Sequence, residues 1–243
     1  MPPLLVVRSC PPFGRSGHSE GQPGGQERDA QELLDAVERG RADAMMPGPR
    51  AAFVAGRLAQ RRFAAELLEV PPSKLTVDYS CPRCGTGAHI SHGRPGYSVT
   101  GPGARSTAAP LLLSLSRSSG WTLLAAVVHP EPGLRLGVDV EDPARTDFAG
   151  FDDVALAPAE RRELQGRPAR ALPRERARFW ARKEAWLKMT GDGLRTAPDT
   201  LEVLHRAGLR DLAPAETGMP QDLAAAVALS LGTRFSAPDR RPN

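Results

Sequence analysis

Apolar positions in this chain fall into a few helical stretches and a larger number of short extended runs. From about Pro49 to Leu68 they recur at Phe53, Leu58, Phe63, Leu67 and Leu68, near helical period, and Pro71-Pro72 ends the run. A weaker helical pattern covers Arg28–Arg39, through Leu33, Leu34 and Val37, and a small helix is expected around Pro158–Leu164. A further helix spans Arg174–Thr190, opened by Pro173 and stopped by Gly191 and Gly193. Leu4–Arg8 and Leu75–Asp78 read as short strands. Leu111–Ser116, Trp121–Val128 and Leu134–Val140, parted by Ser118-Ser119-Gly120 and Pro130–Gly133, read as an antiparallel meander, and Thr200–His205 and Leu223–Ser230 as later strands. Gly/Pro/Ser-rich residues 11–26 read as a flexible loop or disordered insert, Gly101–Pro110 as another loop and the tail Ser236–Asn243 as loose. Helix followed by antiparallel strands occurs in each half, and no doubly wound rhythm is present. The expected fold is therefore α+β, with two similar subdomains (a pseudo-dimer) over 1–130 and 131–243, each a helix packed on a small antiparallel sheet.

Two of these elements carry chemistry. In Leu136-Gly-Val-Asp139-Val-Glu141 the side chains of Asp139 and Glu141 share one face of a strand, where two carboxylates repel unless a cation sits between them. A bare Asp-x-Glu is more often a solvent-facing strand end. On the helix Arg174–Thr190, positions 177, 180, 181, 184, 185 and 188 form one stripe: Ala177, Trp180, Ala181, Glu184, Ala185 and Lys188. A surface Glu–Lys pair contributes about 0.2–0.5 kcal/mol, which accounts neither for the apolar neighbours nor for the lysine.

Composition makes that lysine unusual. Of 32 basic residues only Lys74, Lys183 and Lys188 are lysine, and with a single Ile and a single Asn this bias suggests a GC-rich genome. A compact ammonium reaches a phosphate oxygen as a point charge, whereas guanidinium needs room for its planar fork. The net charge of +4 suits anionic partners without selecting nucleic acid, and no aromatic platform or basic stripe supports nucleic-acid binding. The longest apolar runs fall short of a membrane span or a signal-peptide core. Three cysteines fit a reducing compartment, so a cytoplasmic protein is expected.

The strand motif Gly137-Val-Asp139-Val-Glu141, with Phe179-Trp180-Ala-Arg-Lys183-Glu184-Ala-Trp-Leu-Lys188-Met-Thr-Gly191-Asp-Gly193-Leu194 about 40 residues on, resembles the paired signatures of the 4'-phosphopantetheinyl transferases, in their larger, single-chain surfactin-type class. Arg50-Ala-Ala-Phe53-Val-Ala-Gly56-Arg57 looks like that family's arginine-bearing helix, and Gly93-Arg94-Pro95 like its G-K-P turn. Ser116-Arg117-Ser118 stands at its S-H-S strand end, with Arg117 for the usual histidine. Residues 1–45 match poorly. The resemblance implies transfer of the 4'-phosphopantetheine arm of coenzyme A to a serine of an acyl or peptidyl carrier protein, releasing adenosine 3',5'-bisphosphate. It implies Mg²⁺ held by Asp139, Glu141 and Glu184. Glu184 is the implied general base and Lys188 the partner of the pyrophosphate, with Lys183 contacting it nearby. Arg50, Arg57, Ser116 and Arg117 would clamp the 3'-phosphate, and Arg94 and Pro95 would border the adenine. The resemblance also implies a monomer.

A rival signal lies in the middle of the chain. Cys81-Pro-Arg-Cys84, then His89 and His92, has zinc-like spacing and supports an alternative reading as a small zinc-bearing binding module. A third reading, a coenzyme-binding protein with little turnover, rests only on Arg117.

Overall fold

The computed structural model describes residues 4–12, 25–81, 84–87, 90, 93–101 and 106–231. The fold is α+β, with helices packed on several small antiparallel sheets. The N-terminal strand β1 (Leu5–Cys10) leads to three helices: α1 (Gly25–Leu33), α2 (Ala36–Asp43) and α3 (Pro47–Leu67). The single helix expected over Arg28–Arg39 is thus two. The break falls at Asp35, which starts α2 with its N–H donating to Glu38 and whose own carboxylate accepts from Val77 N and Arg61.

Short strands follow: β2 (Leu75–Val77), β3 (Tyr79–Cys81), β4 (Gly85–Gly87), β5 (Tyr97–Thr100) and β6 (Ser106–Ala108). The longer strands are β7 (Leu111–Ser118), β8 (Trp121–Val128) and β9 (Leu134–Glu141). Then come α4 (Phe151–Ala155), α5 (Pro158–Leu164), α6 (Leu172–Thr190), β10 (Leu209–Asp211), α7 (Pro214–Thr217) and β11 (Ala224–Leu231).

The expected three-stranded meander is only half formed. β7 and β8 pair as a hairpin, and β1 adds to the other edge of β8, giving the order β1-β8-β7. β9 instead pairs with β11, in a second sheet ordered β10-β11-β9. The reason is local: His129 (φ 49°) and Gly133 (φ 85°) both adopt left-handed backbone between β8 and β9 and steer the chain out of the hairpin. β9 comes to lie beside β7, where Val138 N donates to Ser114 Oγ at 2.9 Å.

A second expectation also fails. Residues 200–205 are not a strand, although Leu201 and Val203 are buried as the alternation required. Side chains replace a partner strand there. Val203 N donates to Glu160 Oε1 (2.9 Å), Arg182 donates to the carbonyls of Val203 and Leu204, and Lys183 donates to those of Pro198 and Leu201.

The position of α6 fixes the site. Its buried face includes Ala177, Phe179, Ala181, Ala185, Leu187 and Met189, packing with Ala226 and Ala228 of β11. Each larger side chain among these contributes roughly 1.5–3 kcal/mol by leaving water. Gly137 of β9, directly opposite Ala228, has no room for a side chain. A Cβ there would lie 2.0 Å from the Ala185 carbonyl oxygen and 2.6 Å from Met189 N. A floor of Gly137, Ala226 and Ala228 therefore lets the alanines of α6 approach the backbone of β9. The opposite face of β9 (Leu136, Val138, Val140) packs with Leu123, Ala125 and Val127 of β8. Gly191 (φ 81°) ends α6 in the left-handed conformation that the sequence placed there.

Candidate active site

On the α6-facing side of β9, Gly137 and Asp139 follow one another at the two-residue strand period. Asp139 is buried, and its Oδ1 accepts from Ser116 Oγ (2.6 Å) and Lys188 Nζ (2.6 Å). Its Oδ2 is buried with no hydrogen-bond partner among the described residues. Burial raises the Asp139 pKa despite the opposing Lys188 and Ser116. Glu184 is raised by burial and then by Asp139, against Lys188. Glu141 is pushed up to about 7 by burial, then by Asp139 and, more weakly, Glu184, against Arg145 and Lys188. Three carboxylates thus share one field that Lys188, with Arg145 acting on Glu141, leaves short of positive charge.

That ammonium is fully engaged. Lys188 Nζ meets Asp139 Oδ1, the Val138 carbonyl (3.2 Å) and the Leu115 carbonyl (3.4 Å), three acceptors for three N–H donors. Among the described residues no three acidic or soft side chains stand close enough together to form a finished metal cage. The orphan Oδ2 and the all-oxygen donor set nevertheless fit a hard divalent cation such as Mg²⁺.

Beside this group opens a cleft of about 440 Å³. Glu184, Leu187, Lys188, Thr190 and Gly191 line it from α6, and Arg57, Ser80, Arg94, Pro95 and Leu113–Leu115 line it from the earlier part of the chain. Arg94 Nη2 donates to the Met189 carbonyl at the C-terminal end of α6, where a cation favours the helix dipole. Burial, then Arg135, lowers the Arg94 pKa, against Asp192. Arg57 Nη1 donates to Gln60 Oε1 at 3.1 Å. Arg117 lies along Gly56 of α3 and donates to the Ala52 carbonyl (2.6 Å); partial burial, then Arg57 and Arg41, lower its pKa.

The structure therefore brings together Asp139, Glu141, Glu184 and Lys188, and sets Arg57, Arg94 and Pro95 on the adjoining cleft. Three expected contacts take other places. Ser116 spends its hydroxyl hydrogen on Asp139. Arg50 is ion-paired with Glu27 (2.9 Å) and Asp43 (3.4 Å) and does not line the cleft. Lys183 points away altogether. Its side chain is fully buried, ion-paired with Glu160 at 2.7 Å and bonded to two carbonyls, so it holds the 198–201 segment rather than a pyrophosphate. One residue off the 177–188 stripe is a rotation of about 100° around the helix, enough to change faces.

Sequence reading missed Arg135 and Ser114 on the cleft wall. Arg135 was within reach, because it shares the strand face of Gly137 and Asp139 at period two. In the candidate zinc set, Cys81 ends β3 and Cys84 lies in the hairpin turn, whereas His89 and His92 lie outside the described residues.

Comparison with known proteins bears on the same segment. Residues 135–220, from β9 through α6 to α7, match the 4'-phosphopantetheinyl transferase superfamily. Over 175 residues, 71% of its length, the chain is 30% identical to 4'-phosphopantetheinyl transferase HetI of Nostoc sp. (strain PCC 7120). The matched region spans 66% of that relative, just under two thirds of its length. By both matches the chain is similar to the 4'-phosphopantetheinyl transferases, with the superfamily match lying over residues 135–220.

Proposed function

We propose that this protein transfers the 4'-phosphopantetheine moiety of coenzyme A to a serine hydroxyl of an acyl or peptidyl carrier protein, releasing adenosine 3',5'-bisphosphate. The observation that carries the reading is the buried Asp139 carboxylate, with its unpartnered Oδ2, beneath Glu184 and Lys188 at the wall of a 440 Å³ cleft. Asp139, Glu141 and Glu184 are the residues to hold Mg²⁺, which would supply charge neutralisation for the pyrophosphate. The 1–130 and 131–243 segments act as two subdomains of the single-chain, surfactin-type class, the first giving Arg57 and Arg94 to the coenzyme and the second giving the acidic strand end and α6.

In the reaction the serine oxygen forms a bond to the phosphorus nearest the pantetheine. The bond from that phosphorus to the bridging oxygen breaks, and the bisphosphate leaves with the electron pair. Glu184 takes the serine proton, a role that suits a carboxylate whose basicity burial has raised. Lys188 shifts part of its pairing from Asp139 to the departing phosphate oxygens. Arg57 holds the 3'-phosphate through charged hydrogen bonds, with the Arg117 guanidinium adding positive charge beside it.

The test is incubation with coenzyme A, Mg²⁺ and a panel of apo carrier proteins, read by mass spectrometry. A carrier mass gain equal to phosphopantetheine is expected, and Glu184→Gln should lower the rate by about 10²–10⁴-fold while leaving the fold intact. Binding of coenzyme A with no mass gain on any carrier would refute the transfer.

A further inference from the structure

The most elaborate polar cluster away from the acidic strand end lies under α3, and it begins in a part of the chain onto which the family resemblance carried nothing. Glu38 of α2 is almost wholly buried, at 1% exposure, and its two oxygens serve different neighbours. Oε2 accepts from Arg61 Nη2 (3.1 Å) and from the backbone N–H of Asp35 (3.3 Å), which ties it to the start of α2 and the core of α3. Oε1 accepts from the Tyr79 hydroxyl (3.0 Å) and faces Arg57 Nε at 3.9 Å. One oxygen is therefore structural and the other is turned toward Tyr79 and Arg57.

Arg57 is held on every other side as well. Its guanidinium lies over the Phe53 ring (5.1 Å from the centroid) and the Tyr79 ring (4.9 Å), and Nη1 donates to Gln60 Oε1. Nη2 has no hydrogen-bond partner among the described residues, and Arg57 lines the cleft. Arg41 and Arg117 are close enough for like-charge repulsion to register at Arg117. These like charges repel one another, and the buried Glu38 carboxylate behind Arg57 offsets that repulsion.

We propose that Glu38 is the positioning residue for Arg57: buried beneath α3 and braced by Tyr79 and Arg61, it holds the Arg57 guanidinium with one open donor edge toward the cleft, ready for the phosphate of the substrate. This deepens the proposed function and rests on it. Glu38 touches no substrate, so its effect belongs in affinity rather than in the chemical step. A fixed planar fork loses little freedom on binding a phosphate, whereas a loose one must be ordered by the ligand.

The experiment compares wild type, Glu38→Gln, Arg57→Gln and the double variant, measuring calorimetric binding of adenosine 3',5'-bisphosphate together with KM for coenzyme A and kcat. Glu38→Gln keeps the shape and an acceptor oxygen but removes the charge. Expected are about tenfold weaker bisphosphate binding and a matching rise in KM, with kcat within about twofold. In the Arg57→Gln background the Glu38 change should cost no further affinity, a coupling that general loosening of the fold would not give. Wild-type affinity in Glu38→Gln, or full additivity in the cycle, overturns the assignment. Wild type that binds neither bisphosphate nor coenzyme A instead overturns the reading of the site itself. If Glu38→Gln fails to fold, Tyr79→Phe keeps the ring over Arg57 and removes only the hydroxyl bond to Glu38. A two- to threefold loss of affinity is then expected, and an unchanged value overturns the proposal.

Discussion

At the residue scale, the two lysines of α6 show how one observation can have two causes. Each is surrounded by three acceptors: Asp139, Val138 and Leu115 for Lys188, and Glu160, Pro198 and Leu201 for Lys183. An ammonium has three donors and satisfies such a nest, whereas a guanidinium brings five in a rigid plane and would bury some unpaired. Retention against the arginine bias thus marks a three-acceptor nest, which at 188 adjoins the cleft and at 183 is structural. Burial, then the neighbouring Asp139 carboxylate, governs Glu141. Its carboxyl titrates near pH 7 in the folded chain and near the ordinary 4.5 when unfolded, so folding takes up a proton. The stabilisation from that uptake is fully present below about pH 4.5 and is lost as pH rises through about 7. At pH 8, without metal, Glu141→Gln should therefore stabilise the protein. Allowing for the solvent-open part of the side chain, the gain is about 1–2 kcal/mol, or roughly 2–8 °C in Tm, and it should vanish near pH 4. Thermal melts at the two pH values check this, and equal Tm values for variant and wild type at pH 8 would contradict the electrostatic account.

At the element scale, α6 approaches the backbone of β9 closely at Gly137. A methyl group there meets the backbone of two helical residues, Ala185 and Met189, and not the flexible end of a side chain. Gly137→Ala must push the helix off the strand. We expect a loss of about 3–5 kcal/mol in denaturant stability, with transfer activity falling further than the folded fraction does, because Glu184 and Lys188 leave Asp139 along with the helix. A variant with wild-type stability would show that the approach is looser than this. The helices and long strands were legible because α3, α6, β7, β8, β9 and β11 each extend far enough to repeat a period. Among the three-residue strands, β2 was marked by its apolar run, whereas β3, β4, β6 and β10 are too short to repeat a period. Residues 200–205 misled for another reason: alternation reports which side chains are buried, and here the backbone bonds that usually accompany it come from Glu160, Arg182 and Lys183. Spacing put the acidic strand end and the Glu184–Lys188 stripe each on one face, and their joint role came from the family resemblance. The partners of the arginines were not readable, since Glu38, Gln60 and Tyr79 meet Arg57 only through tertiary folding.

At the scale of the whole molecule, the cleft is built from both ends of the chain. Arg57, Ser80, Arg94 and Pro95 precede residue 130, while Arg135, Glu184, Lys188 and Gly191 follow it. Among these, Arg94 already joins the two sides by its bond to the Met189 carbonyl at the end of α6. A ligand that fills the cleft adds contacts to both walls at once, so its binding energy opposes unfolding of the chain as a unit. Coenzyme A at about 100 times its Kd should add about 2.7 kcal/mol, raising Tm by roughly 5–10 °C in one cooperative transition. The arginine side of the cleft makes this prediction specific. Dephospho-coenzyme A lacks the 3'-phosphate assigned to Arg57, so at the same concentration it should stabilise markedly less, whereas the difference should shrink in Arg57→Gln. Differential scanning calorimetry with the two ligands reads the outcome directly. Equal shifts in the wild-type protein would remove the 3'-phosphate from the arginines, and a ligand-induced split into two transitions would show that the walls of the cleft do not unfold together.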